Sequence, residues 1–225
     1  VNTGFLSGDL PRSFEVALPT DYDPSGSHPL VFVYHGFGGT AQDMLASGIL
    51  PVADPLGMIV ISPQGEQLGE TTGWDAFSDP LTNSDLVLFD DLVTCASASF
   101  AVDPDRIHVS GMSNGGLMTG YLAATRADVI ASAAPMSGGV GVEPIPSPYA
   151  MPALVIWGGT ADFAFEQDFD LLATDMIDLF LANGQFVVGC DHGLGHTLLP
   201  EFWPWTLAFL ADHPRDRVGE PYATG

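Results

Sequence analysis

The sequence predicts an α/β fold, a mostly parallel central sheet with helices on both faces. Short β-rich runs alternate with helical patterns along the chain, as strands joined by crossover helices do. Several of those runs are continuously apolar rather than alternating, which marks strands buried on both sides. A chain of 225 residues with 46% hydrophobic content can fill one sizeable core and has no room for two full domains.

In chain order, strands are expected over residues 13–18, 30–34, 58–62, 107–110, 130–136, 153–157 and 186–190. Helices are expected over 41–49, 84–99, 114–125, 169–182 and 201–212. The fourth helix has the clearest pattern: Phe169, Leu172, Ala173, Met176, Leu179 and Phe180 fall on one face, and Asn183-Gly184 stops it. Pro/Gly-rich stretches at 65–73 and 138–152 read as loops at the rim of the sheet. Residues 1–213 are expected to form a single domain, followed by a polar, loosely held tail over 214–225.

Charge narrows the partners. The chain has 28 acidic residues against 5 arginines, no lysine, and a formal net charge of −23. Such a field repels nucleic acid and anionic membranes, so neither is an expected partner, and it suits a salty habitat where counterions screen the repulsion. No apolar run is long enough to span a bilayer. The opening Val1-Asn2-Thr3-Gly4 lacks a basic region followed by an apolar stretch, so a secretory signal is expected to have been removed already. The two cysteines, Cys95 and Cys190, leave one disulfide and two buried thiols both open.

Gly111-Met112-Ser113-Asn114-Gly115 carries the chemistry. It matches G-x-S-x-G, with an expected strand running into it and an expected helix after it. A nucleophilic serine there sits on a sharp, strained turn that lifts its hydroxyl above the sheet, and the flanking glycines let neighbouring backbone pass close by. His35-Gly36-Phe37-Gly38-Gly39 follows the 30–34 strand. In this reading it supplies one oxyanion-hole N–H from Phe37, the other coming from Asn114. The chain order of such a site requires an acid and then a histidine. Asp162, directly past the 153–157 strand, is the candidate acid, while Asp168 and Asp170 suit the first turn of the next helix. His196, late in the loop after the last strand, is the candidate base. His192 reads as a hydrogen-bonding loop residue, His35 as a brace of the oxyanion loop, and His28, His108 and His213 as ordinary surface or core histidines.

The stretch from Asp90 to Gly139, together with the 35–41, 159–162 and 195–197 segments, resembles the polyhydroxybutyrate depolymerase and feruloyl (acetylxylan) esterase family of secreted α/β-hydrolases. The likeness runs over about residues 12–212. It implies the α/β-hydrolase fold, a serine esterase with the triad Ser113, Asp162 and His196, no metal or organic cofactor, and a monomer acting outside the cell on an ester substrate. It implies that Trp74 lines the cleft, and it favours a disulfide between Cys95 and Cys190. The short spacing between the three triad residues leaves no room for a large lid domain, and an open cleft suits bulky or polymeric esters. The chain departs from the family's pattern at Leu198-Leu199-Pro200, where an aromatic followed by proline is usual, so one aromatic wall is absent or replaced. Met112 and Gly195 likewise stand where some feruloyl esterases carry cysteines. The same triad also serves peptidases and acyltransferases, and a non-catalytic binding module is the contrasting class; ester turnover that depends on Ser113 rejects the module, and failure to cleave amides while cleaving esters rejects the peptidase.

Overall fold

The computed structural model describes residues 2–215, 217 and 219–222. Its strands are β1 (Asn2–Ser7), β2 (Leu10–Ala17), β3 (His28–Tyr34), β4 (Ile59–Pro63), β5 (Glu66–Leu68), β6 (Thr71–Gly73), β7 (Val102–Met112), β8 (Ser132–Met136), β9 (Ala153–Trp157), β10 (Phe163–Ala164), β11 (Gln167–Asp168) and β12 (Val187–Asp191). The helices are α1 (Ala41–Met44), α2 (Leu50–Ala53), α3 (Ser84–Ser99), α4 (Asn114–Thr125), α5 (Phe169–Ala182) and α6 (Trp203–Asp212). Eight strands make one sheet in the order β1-β2-β4-β3-β7-β8-β9-β12, and β5-β6 and β10-β11 are separate small hairpins. From β4 to β12 the strands run parallel, while β1 and β2 join antiparallel at one edge.

Alternation along the buried strands divides the core between the two faces. On β3, Leu30, Phe32 and Tyr34 pack with residues of α3, α4 and α5, whereas Val31 and Val33 pack with residues of α2 and α6. The expected 41–49 helix is broken in the structure. Gly48 takes φ 99°, and a Cβ there would lie 2.9 Å from that of Pro200, so the chain kinks before continuing as α2. The 65–73 segment is the β5-β6 hairpin rather than an irregular loop.

With lysine absent, the arginines tie distant segments together. Arg12 is buried and donates to Asp85 at 2.6 Å and Glu66 at 2.8 Å, joining β2 to α3 and β5. Arg126 grips both oxygens of Asp90 at 2.9 Å, holding the end of α4 to α3. Arg106 bonds Asp103 at 2.7 Å and the Ser27 carbonyl at 2.8 Å.

The expected Cys95–Cys190 disulfide is not formed, and the described tail residues make contacts of their own. The tail is held where it is described: Arg215 donates to the Ala127 carbonyl at 2.6 Å and lies over the Tyr149 ring, and Tyr222 donates to Asp212 at 2.9 Å and stacks on Phe209. Tail residues 216, 218 and 223–225 lie outside the described residues. Cys95 and Cys190 are not bonded to each other. Cys95 is on α3, which contacts β1 and β7, whereas Cys190 lies on the far edge strand and packs on the opposite face of the sheet.

Candidate active site

The topology selects where a site can form. From β3 the chain crosses to β4 on one side, and from β7 it crosses to β8 on the other. The C-terminal ends of β3 and β7 therefore flank the switch point of the sheet, the place where open α/β sheets bind ligands. The 35–39 loop leaves one of these strand ends and Ser113 leaves the other. Ser113 has φ 60° and ψ −121°, the strained turn expected of it. The flanking glycines are required by their surroundings: a Cβ on Gly111 would stand 2.5 Å from the Gly115 carbonyl oxygen, and one on Gly115 would collide with the Tyr34 carbonyl.

Three distant segments converge on that turn. Ser113 Oγ lies 2.9 Å from His196 Nε2, and His196 Nδ1 lies 2.7 Å from Asp162 Oδ1. Nδ1–H donates to the carboxylate, which leaves Nε2 as the acceptor facing the serine hydroxyl. The other Asp162 oxygen accepts from Ser137 Oγ at 2.7 Å and from the Gly158 N–H at 2.8 Å. Burial alone would raise the Asp162 carboxyl, but the bonds from His196, Gly158 and Ser137 outweigh it and hold it below the usual carboxylate range. The loops bearing the acid and the histidine are joined by Gly195 N–H to the Gly158 carbonyl at 3.0 Å. Phe169 packs on the His196 ring with centroids 4.5 Å apart. The competing residues are engaged elsewhere. Asp168 caps α5 and accepts from Leu171 N–H, Asp170 accepts from Trp157 Nε1, and His192 accepts from Leu194 N–H.

The 35–39 loop abuts the serine, since a Cβ on Gly36 would be 3.4 Å from that of Ser113. Gly39 N–H to the Gly36 carbonyl closes the loop, and Gly38 N–H to the Thr72 carbonyl pins it; the Phe37 amide takes part in neither bond. Asn114 opens α4, so its amide is among those an α-helix leaves without an internal partner. His35 braces the loop as expected. Its Nε2 accepts from Gly65 N–H at 2.9 Å and its Nδ1 donates to the Gly36 carbonyl at 2.8 Å. Burial lowers its pKa, which keeps the ring neutral and able to accept.

Trp74 does not line the cleft. It is 2% exposed, its indole N–H donates to the His35 carbonyl at 2.9 Å, and its backbone N–H and carbonyl bond the Asn114 side chain. It is a buried tie between the 35–39 loop and the residue after Ser113.

Sequence reasoning missed four residues. Ser137 is buried with φ 43°, directly past β8; its place at the active edge of the sheet was the available signal. Phe165 and Glu166 form the β10-β11 turn at φ 49° and 61°, left-handed values that cost about 1–2 kcal/mol per residue without glycine. Phe169 read only as a core position of its helix.

Residues 9–197 match the Esterase family, described as "Putative esterase". Poly(3-hydroxyalkanoate) depolymerase C of Paucimonas lemoignei is 34% identical over 52% of this chain and 30% of that protein. Feruloyl esterase B of Neurospora crassa is 32% identical over 52% of this chain and 41% of that protein. These matches span less than half the length of either relative. The native sOPH crystal structure superposes with a TM-score of 0.76 at 19% identity, covering 99% of this chain and 91% of that one, a likeness of fold. By the family match over most of its length and by its eight-stranded, mostly parallel sheet, the chain belongs to the Esterase family and has the α/β-hydrolase fold.

Proposed function

We propose that this protein is a serine carboxylic-ester hydrolase that works through an acyl-enzyme on bulky or polymeric esters, either polyesters or feruloyl and acetyl esters of plant polysaccharide. One observation carries the reading: Ser113, His196 and Asp162 stand in an unbroken relay of 2.9 and 2.7 Å at the switch point of the sheet. Ser113 Oγ attacks the ester carbonyl carbon while its proton passes to His196 Nε2, and Asp162 stabilises the imidazolium. The Phe37 and Asn114 amides stabilise the oxyanion, a role in which losing one donor typically costs about 2.7–4 kcal/mol. Collapse of the tetrahedral species breaks the ester C–O bond, and Nε2 returns its proton to the leaving alcohol. Water then attacks the acyl-enzyme, gives its proton to Nε2, and releases the acid and the serine. Every proton in this cycle is carried by a residue of the relay, so the reading calls on no metal or organic cofactor. The named relatives support the choice of esters, one a polyhydroxyalkanoate depolymerase and the other a feruloyl esterase. The resemblance to secreted hydrolases supports an exported enzyme.

A fluorophosphonate probe tests the reading. Mass spectrometry of the digested adduct is expected to place the phosphonyl group on Ser113, with loss of p-nitrophenyl ester turnover in step with labelling. Folded protein that stays unlabelled, or is labelled elsewhere, would overturn it.

Ser137 is the positioning residue in this scheme. Ser137→Gly removes the hydroxyl donor to Asp162 yet accepts φ 43° without strain. A hydrogen bond to a charged group contributes about 1.5–3 kcal/mol, so kcat is expected to fall at least about tenfold with KM little changed. Steady-state kinetics with an unaltered kcat would remove Ser137 from the scheme.

A further inference from the structure

Two aromatic rings meet across the span of sheet that carries Ser113. Phe37 follows β3 and Phe165 turns the hairpin after β9, while Ser113 follows β7, which lies between those strands. Their ring centroids are 5.6 Å apart at 66°, an edge-to-face contact. Both stay open to solvent, Phe37 at 42% and Phe165 at 69% exposed. Leu68 extends the patch: it and Phe37 both come within 3.0 Å of where a Cβ on Gly73 would stand. The hairpin is closed at its base by Phe169 N–H to the Asp162 carbonyl at 2.9 Å, so the Phe165 ring is tied to the acid of the relay. Left-handed backbone at a non-glycine residue, holding a large apolar ring in water against Phe37 of the loop that abuts Ser113, is the kind of local strain that persists at ligand clamps.

We infer that Phe37 and Phe165 form the subsite for a planar aromatic acyl group, with Phe165 setting the preference for it. The inference rests on the ester-hydrolase reading and narrows its substrate class. An edge-to-face pair leaves ring faces free, and a third ring gains aromatic attraction there beyond the area it buries, which an aliphatic chain does not. Glu166 at the hairpin tip keeps a negative group beside the ring and so favours a neutral aromatic ester over a charged one.

The test compares p-nitrophenyl ferulate, p-nitrophenyl hexanoate and p-nitrophenyl acetate, which share a leaving group and differ only on the acyl side. Wild type, Phe165→Leu and Phe165→Tyr are assayed on all three. The feruloyl-to-acetyl ratio of kcat/KM is expected to fall about tenfold in Phe165→Leu and to be restored in Phe165→Tyr, with most of the change in KM. A ratio unchanged within about twofold overturns the subsite, as does a loss confined to the hexanoyl ester, which would mark an aliphatic site. A wild-type protein that hydrolyses none of the three overturns the hydrolase reading itself and the subsite with it, whereas an active enzyme of unaltered selectivity overturns the subsite alone.

Discussion

Ser113→Ala and His196→Ala are each expected to lower kcat for a p-nitrophenyl ester by about 10⁶-fold, with the double variant no worse than either single one. The expectation follows from how the groups work. Without the imidazole the hydroxyl keeps its proton, and without the hydroxyl the imidazole has nothing to activate, so the second removal takes away a function already lost. Asp162→Ala falls less, by about 10⁴-fold, because the ring remains but loses the carboxylate that fixes its tautomer. Residual activity in all the variants is expected from the Phe37 and Asn114 amides proposed as oxyanion donors, which are backbone groups and survive side-chain changes. Ser113→Ala removes a single atom from a position 6% exposed, so far-ultraviolet circular dichroism should match wild type. Multiplicative losses in the double variant, or a Ser113→Ala enzyme with wild-type turnover, would show that the two residues do not act as a unit.

The largest expected effect on stability comes from a residue outside the site. His108 is fully buried on β7; Nδ1 lies 2.8 Å from Ser132 Oγ, and Nε2 has no hydrogen-bond partner among the described residues. Burial, reinforced by the charges of Arg106 and His213 and opposed by Asp103, pushes its pKa down to about 3. Above pH 6.5 the ring is neutral in both folded and unfolded chains, and its contribution is intact. As the pH falls from 6.5 towards 3 the unfolded chain binds a proton that the folded one refuses. Stability then drops by about 1.4 kcal/mol per pH unit and levels off below about 3, a total of roughly 5 kcal/mol. Denaturant melts at a series of pH values check this. His108→Leu should reduce the slope of unfolding free energy between pH 6 and 4 by about 1.4 kcal/mol per unit relative to wild type. The slope is the readout because the lost bond to Ser132 lowers stability at every pH without tilting the curve. Parallel slopes would reject the assignment.

The fold was legible wherever local chemistry and burial agreed. Helix α3 begins where expected because Asn83 accepts from the Asp85 and Leu86 N–H groups, and α5 because Asp168 accepts from Leu171 N–H. The central strands were legible as apolar runs. β1 was not, because it is a mostly exposed edge strand whose pairing with β2 leaves no hydrophobic pattern to read. The β10-β11 hairpin was hidden for a different reason: its turn is Phe165-Glu166, without the glycine or asparagine that signals such turns. At the candidate site, Ser113, Asp162 and His196 announced themselves by motif and chain order. Ser137 is coupled to them only through space, and Trp74 was misjudged because a sequence does not say which way an indole points.

The arginine ties have a consequence for how the molecule stays dispersed. Positive charge serves as internal stapling, so repulsion between neighbouring molecules rests on the surplus of 28 acidic residues over 5 arginines, while Glu66, Asp85, Asp90 and Asp103 anchor Arg12, Arg126 and Arg106. Burial pushes the Asp85 carboxyl up, whereas at Asp103 the bonds from Arg106 and the Asp105 N–H outweigh burial and pull it down, so these two staples do not let go together as acid is added. Resistance to clumping thus rests on the carboxylates at the surface, whereas tolerance of low pH also depends on the buried His108 ring.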